Sequence, residues 1–142
     1  MLLPDINLLV YAHNVRSPRH PQALEWWNGC LQGPQAVGLA WVVMLGFVRI
    51  TTHPKVFERP MSVDESVGRV AEWLELPHVQ VVHPAQRHFE GWAKLLRGIG
   101  SAGNLTTDAH LAALAIERKL MLCSTDADFA RFPGLRWSNP LA

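Results

Sequence analysis

Four of the five aspartates in the sequence lie in or beside strongly apolar segments, where an unpaired charge is costly. These four are Asp5, Asp108, Asp126 and Asp128. Carboxylates repel one another and converge at low cost only around a cation or an arginine. Oxygen ligands favour a hard divalent ion, and Mg²⁺ is typically held by few carboxylates and several waters. The four aspartates therefore predict a site for Mg²⁺, with Mn²⁺ as the alternative, if the fold brings them together.

Asp108 is the most informative of the four because of its place on a predicted helix. At about 100° per residue, it shares a stripe with Leu111, Ala112 and Ala115 and lies opposite His110. An unpaired carboxylate on that stripe costs several kcal/mol, so we expect a charged partner. Taken alone, Asp108 is also explained as a first-turn acid that complements the helix dipole.

The other acids have structural explanations too, since Asp5 can cap a helix and Asp126 a turn, with Asp128 solvated. Asp5 and Asn7, two residues apart in a predicted first strand, point to one side of that strand. Asp126 and Asp128 follow the apolar run 120–123 at its carboxyl end, where open α/β sheets bind ligands. Four acids at the ends of separate elements of one sheet predict a shared site.

The elements that must position these acids alternate along the chain. The apolar segment of residues 2–3 and 6–9 predicts a first strand that runs into a helix, and further apolar or β-branched runs predict strands at 36–40, 79–82, 120–123 and 136–137. Helical spacing predicts helices spanning 20–31, 41–50, 62–76 (with a capping box at Ser62 and Glu65), 85–97, and from Asn104 or Thr106 to 117. Uniformly apolar strands alternating with helices indicate a parallel sheet covered on both faces. We predict an α/β fold, a three-layer α/β/α sandwich with a mainly parallel central sheet, in one domain of residues 1–142.

Composition narrows the class of protein further. Hydrophobic residues make up 49% of the 142 residues and charged residues 18%, which excludes a disordered chain. The net charge of +1 leaves no strong basic field, so nucleic acid must be bound by a local patch. Cys30 and Cys123 lack metal-binding spacing and suggest a reducing compartment. No apolar run approaches the roughly 18 residues of a membrane span, so we predict a cytoplasmic protein without a membrane partner.

The acidic motifs, taken in order, resemble those of PIN-domain nucleases, specifically the VapC-type toxins of bacterial toxin–antitoxin pairs. Residues 3–9 (LPDINLL) are similar to the family's first-strand acid followed by Asn or Ser. Residues 104–115 (NLTTDAHLAALA) resemble its third-acid helix, and residues 124–129 (STDADF) with 132–135 (FPGL) its fourth-acid motif. Residues 46–54 (GFVRITTHP) are similar to one branch of these toxins, so the resemblance covers essentially the whole chain.

The resemblance implies an Mg²⁺-dependent endoribonuclease that cleaves cellular RNA as the toxin of such a pair. Its catalytic residues would be Asp5, Asp108 and Asp126, the first two binding metal directly. Asp126 would bind the metal or orient the attacking water. Asp128 would belong to the metal-binding set and lie behind Asp126. Asn7 would position Asp5 or a phosphate through its amide. A divalent ion lowers the pKa of a water and shields the phosphate under in-line attack, which agrees with this chemistry.

One position departs from the family pattern. Many members carry a glutamate three residues before the arginine of the central helix, where this chain has Gly46 ahead of Arg49. The resemblance implies that the Cα of Gly46 faces the metal site, that metal binding is weak, and that Gly46→Glu tightens it. The missing acid also keeps open the alternative of a catalytically weak or silent PIN-like RNA-binding or adaptor domain.

Candidate RNA contacts and partners complete the prediction. Arginine outnumbers lysine ten to three, which suits phosphate recognition. Possible RNA contacts, each equally explained as solvated surface charge, are Arg16, Arg19, Arg49, His53 and Lys55. Apolar helices rich in tryptophan on a nearly neutral chain predict a homodimer. The resemblance implies a cognate antitoxin, with an arginine of that partner reaching the carboxylates.

Overall fold

A sheet of five parallel strands forms the centre of the protein. This computed structural model describes all 142 residues. The strands are β1 (Leu2–Pro4), β2 (Val37–Ala40), β3 (Val79–Val82), β4 (Met121–Cys123) and β5 (Trp137–Ser138), in the spatial order β3-β2-β1-β4-β5. Every neighbouring pair is parallel. The predicted parallel α/β sheet is confirmed, and each predicted strand is present.

Six α-helices connect the strands. They are α1 (Ile6–His13), α2 (His20–Gln32), α3 (Trp41–Thr51), α4 (Val63–Glu75), α5 (His88–Ile99) and α6 (Leu105–Arg118), and a short 3-10 helix, Ala127–Arg131, follows β4. The chain steps from β1 to β2 to β3 in one direction and then crosses back to β4 in the other. Because crossovers between parallel strands are right-handed, α1–α4 cover one face of the sheet, and α5 with α6 covers the opposite face.

Burial explains why these segments form these elements. All four residues of β2 are buried, as expected for a strand covered on both faces. On α3, Val43 and Phe47 are fully buried, whereas Trp41 and Leu45, one turn apart, are 54% and 64% exposed. The helix thus has apolar side chains on its buried face and also on its exposed face.

The start of α4 follows the predicted capping box. The Ser62 hydroxyl accepts a hydrogen bond from the Glu65 N–H at 3.1 Å, and the Glu65 carboxylate accepts one from the Ser62 N–H at 3.4 Å. These two bonds satisfy backbone donors that a helix start leaves unpaired. None of the six helices has the length and apolar character needed to traverse a bilayer.

Candidate metal and catalytic site

The reversal of strand order places a crevice between the carboxyl ends of β1 and β4. Connections leave these adjacent strands toward opposite faces of the sheet, and such a switch point is where open α/β sheets bind ligands. Asp5 directly follows β1, and Asp126 lies three residues after the end of β4 at Cys123. The topology therefore brings the first and last acidic motifs to the same crevice.

Asp5 is held rigidly at the start of α1. Its Oδ1 accepts a hydrogen bond from the Ile6 N–H at 2.8 Å, and its Oδ2 accepts one from the Ser124 hydroxyl at 2.8 Å. The side chain is 6% exposed. Burial raises the pKa of Asp5, and the nearby charge of Asp126 adds to the rise, while the two hydrogen bonds only partly oppose it.

Asn7 does not share a strand face with Asp5. Strand β1 ends at Pro4 because Asp5 caps α1, so Asn7 lies in the first turn of that helix, exposed to solvent. Its amide makes no hydrogen bond to Asp5. The prediction that the two side chains point to one side of a strand was wrong, since a strand was expected where a helix had already begun.

Asp108 faces the other acids from the first turn of α6. Burial, as the largest cause, and the charges of Asp5, Asp126 and Asp128 together raise its pKa to about 6. Its carboxylate accepts no hydrogen bond from the protein, so nothing offsets these effects. The other three aspartates singled out in the sequence are thus close enough to Asp108 to act on its ionisation.

Ser124, the first residue of the last acidic motif, links two of the acids although no role was predicted for it. It is completely buried directly after β4. Its hydroxyl donates to Asp5 Oδ2 and accepts a hydrogen bond from the Asp126 N–H at 3.0 Å, so it joins two acids. The signal was a pair of hydroxyl residues, Ser124 and Thr125, between a buried strand and an acidic turn. Asp126 Oδ1 in turn accepts from the N–H of Asp128, whose side chain is exposed.

The donor set fits a divalent cation in an open site. No three histidine, cysteine, aspartate or glutamate side chains approach closely enough to form a closed cage. Mg²⁺ does not need one, because it keeps several waters and is held by one or two carboxylates. Asp5 and Asp108 could supply oxygen ligands, and a cation between them would relieve the repulsion that contributes to the raised pKa of Asp108.

Gly46 packs against Ile6 in the first turn of α1, the residue that directly follows Asp5. A Cβ at Gly46 would lie 2.6 Å from Ile6 Cδ1, and the three nearest atoms all belong to Ile6. The glycine permits close packing of α3 against the first turn of α1. A glutamate at this position requires the end of the Ile6 side chain to shift. That Gly46→Glu tightens metal binding stays a prediction.

The five candidate RNA contacts are all exposed, but they do not surround the carboxylates. Arg49 lies in the last turn of α3, and the other four lie in the loops that follow α1 and α3. At 1.5 Å per residue, these helices carry the chain about 12–16 Å away from the acidic edge. Arg16 pairs with Glu58, the Arg19 guanidinium lies 5.3 Å from the Tyr11 ring centroid, and His53 Nδ1 accepts from the Lys55 N–H.

Comparison with known proteins gives a consistent result. The model of the family described as PIN domain matches residues 2–135. The chain is 43% identical over 142 residues to Ribonuclease VapC37 of Mycobacterium tuberculosis, covering 100% of this chain and 99% of that protein.

Solved structures share the fold at low sequence identity. Mycobacterium tuberculosis VapC20, described as a Sarcin-Ricin loop cleaving toxin, superposes with a TM-score of 0.66 at 18% identity, covering 96% of this chain and 99% of that one. A toxin-antitoxin complex from Klebsiella pneumoniae gives a TM-score of 0.67 at 18% identity, covering 99% and 98%. At these identities the likeness establishes the architecture.

Proposed function

The chain belongs to the PIN-domain family, and from that membership we propose that it is a VapC-type ribonuclease, the toxin of a toxin–antitoxin pair. We propose further that it cleaves phosphodiester bonds of cellular RNA with Mg²⁺ or Mn²⁺. The observation that carries this proposal is the raised pKa of Asp108, about 6, caused by burial and by three neighbouring carboxylates at a sheet switch point. Such a strained acidic cluster suits a bound cation.

Each acid has a distinct part in the proposed reaction. Asp5 and Asp108 would hold a divalent ion, which would supply charge neutralisation at the phosphate and a more acidic water. Ser124 fixes the Asp5 carboxylate and, through the Asp126 N–H, the turn that carries Asp126. Asp126 orients the attacking water, with Asp128 behind it. In hydrolysis the oxygen of water bonds to phosphorus, one P–O ester bond breaks, and the leaving oxygen takes a proton.

The test compares three aspartate-to-asparagine variants. Asp108→Asn and Asp5→Asn should abolish Mg²⁺- or Mn²⁺-dependent cleavage of total cellular RNA while the circular dichroism spectrum stays native. Asp64→Asn is the matched control, because Asp64 is exposed at the start of α4, outside the cluster. Undiminished cleavage by Asp5→Asn and Asp108→Asn, with no contaminating nuclease, would refute the site.

We propose an antitoxin, encoded next to this chain, as its protein partner. The likeness to a toxin-antitoxin complex supports a partner of this kind. The acidic crevice would attract an arginine of that partner. Expression of the chain alone should slow bacterial growth, and co-expression of the neighbouring protein should restore it. Cytoplasmic action is part of the proposal, since Cys30 and Cys123 are both free thiols.

A catalytically silent RNA-binding or adaptor domain is the second candidate. The observation in its favour is the lack of any three-residue metal cage, with Gly46 where many relatives place an acid. This candidate predicts RNA binding that is unaffected by divalent ions and no cleavage under any metal. The Asp5→Asn and Asp108→Asn variants separate the two functions. A ribonuclease loses metal-dependent RNA cleavage in these variants, whereas an adaptor domain has no cleavage to lose.

A further inference from the structure

A pocket of about 380 Å³ opens beside the acidic crevice, between α5 and the start of α6. One part of its lining is aromatic and apolar. Phe89 and Trp92 form a tilted pair with ring centroids 5.7 Å apart, and Val42 closes the side toward α3. Phe89 is 69% exposed, so much of its side chain is open to solvent at the pocket.

Three uncommitted polar groups line the same pocket. The hydroxyls of Thr106 and Thr107 make no hydrogen bond within the protein, and the ring of His110 lies beside them. Nδ1 of His110 is 2.8 Å from Nε2 of His88, which leaves Nε2 of His110 free. The pocket thus combines an aromatic surface with hydrogen-bonding groups that have no internal partner.

A hydrogen-bonded chain holds these groups in place. Nδ1 of His88 lies 2.9 Å from the Glu117 carboxylate, which also accepts the Ala85 N–H at 3.0 Å. The indole N–H of Trp92 donates to the backbone carbonyl of Thr106 at 3.1 Å, which ties α5 to the first turn of α6. The pocket is therefore formed in advance of binding, which lowers the entropy cost of association.

Of the four carboxylates, Asp108 shares the first turn of α6 with the pocket residues Thr106 and Thr107. Thr107 immediately precedes Asp108, and Val42 lies two residues beyond the end of β2 at Ala40, on the carboxyl edge of the sheet. Thr107 and Asp108 are successive residues about 100° apart around α6, so the pocket adjoins the carboxylate on a neighbouring face of the helix.

We propose that this pocket binds a nucleobase next to the cleaved phosphate, with the base stacked on Phe89 and its edge hydrogen-bonded to Thr107 and His110. The inference rests on the proposed ribonuclease function, whose substrate it specifies as unpaired RNA. Stacking on an aromatic side chain suits every base, and the free polar groups can read base edges. A purely apolar protein contact would leave those polar groups unpaired, so the chemistry favours a base.

The experiment measures binding of two RNA probes to the Asp108→Asn protein by fluorescence anisotropy. One probe is an eight-nucleotide oligoadenylate, and the other is the same backbone without bases, so the phosphates are identical. We expect the oligoadenylate to bind about tenfold more tightly. Phe89→Leu should remove most of that difference, whereas Phe89→Tyr should keep it, because stacking needs an aromatic face. Val63→Ala, at an apolar position that is 66% exposed on α4, is the control and should change nothing.

Several results would overturn the subsite. These are no measurable binding of oligoadenylate, equal affinity for the two probes, or a base preference that survives Phe89→Leu. If instead Phe89→Glu dissociates a dimer while Phe89→Leu leaves both association and RNA binding intact, the surface is a protein contact. Cleavage of total RNA by the unmodified protein is assayed in parallel. Cleavage without a Phe89 effect refutes the subsite alone, and a Phe89-dependent base preference without cleavage refutes the ribonuclease alone.

Discussion

The surroundings of Asp108 disfavour the ionised form of its carboxyl, because the side chain is partly buried beside three other acids and accepts no hydrogen bond. Its pKa of about 6 lies above the ordinary value of 3.8. Between these two pH values the folded protein binds more protons at this site than the unfolded chain does. The contribution of Asp108 to the free energy of unfolding is therefore largest at low pH and falls as the pH rises from about 4 to 6.

Asp108→Asn should consequently stabilise the metal-free protein at pH 7. The gain is about 1 kcal/mol once solvent screening is allowed for, or about 3 °C in Tm. Thermal unfolding in EDTA at pH 4.5, 6 and 7 tests this, with Asp64→Asn as the control. The variant's advantage should grow with pH across this range. An advantage that is constant or that shrinks toward pH 7 would show that Asp108 is not strained.

Ser124→Ala should weaken the acidic site, because it removes the hydroxyl that connects Asp5 to the turn carrying Asp126. The substitution leaves Asp5 Oδ2 and the Asp126 N–H without their buried partner, and hydrogen bonds to charged groups contribute about 1.5–3 kcal/mol. We expect a loss of stability of that order and weaker divalent binding, measured by denaturant unfolding and calorimetry. Ser138→Ala, at an exposed serine whose hydroxyl makes no hydrogen bond, should be neutral. Equal effects of the two variants would contradict a positioning role for Ser124.

At the scale of elements, the sequence was sufficient for the order and class of helices and strands. Apolar runs identified the strands because a parallel sheet is buried on both faces, and the capping box located α4 within one residue. The acids of the motifs could be predicted because an unpaired charge in an apolar segment is costly. The placement of Asn7 failed because β1 is only three residues long and a helix begins at once. The neighbours of Gly46 depend on how α1 packs on α3, which no local pattern encodes.

That packing governs what a glutamate at position 46 can do. Gly46→Glu alone should destabilise the protein by about 1–3 kcal/mol, because its Cβ overlaps Ile6. In an Ile6→Ala background the same glutamate has room, and divalent affinity should rise about tenfold relative to Ile6→Ala alone, measured by titration calorimetry. Gly46→Ala in both backgrounds separates the steric effect from the carboxylate. Equal metal affinity of Ile6→Ala with and without Gly46→Glu would show that a side chain at position 46 does not reach the acidic site.

The whole molecule leaves apolar side chains exposed on more than one face. Trp41 and Leu45 form one strip on α3, and Val63 and Val67 form another on α4, each a pair one turn apart. An exposed tryptophan beside a leucine is typical of the centre of a protein interface, where aromatic residues are enriched and charges depleted. A net charge of only +1 opposes self-association weakly. These features support the predicted homodimer and favour α3 as its contact.

We therefore expect the protein to sediment as a dimer at tens of micromolar and Leu45→Glu to convert it to a monomer. A charge buried at the centre of such a contact weakens association by several kcal/mol, roughly a hundredfold or more in Kd. Val67→Glu is the matched control, since Val67 is 50% exposed on the other strip and should leave the dimer intact. A dimer broken by Val67→Glu but not by Leu45→Glu would move the interface to α4. A monomeric unmodified protein, alone and with its antitoxin, would contradict self-association, and because each crevice lies within one chain, RNA cleavage would then persist in the monomer.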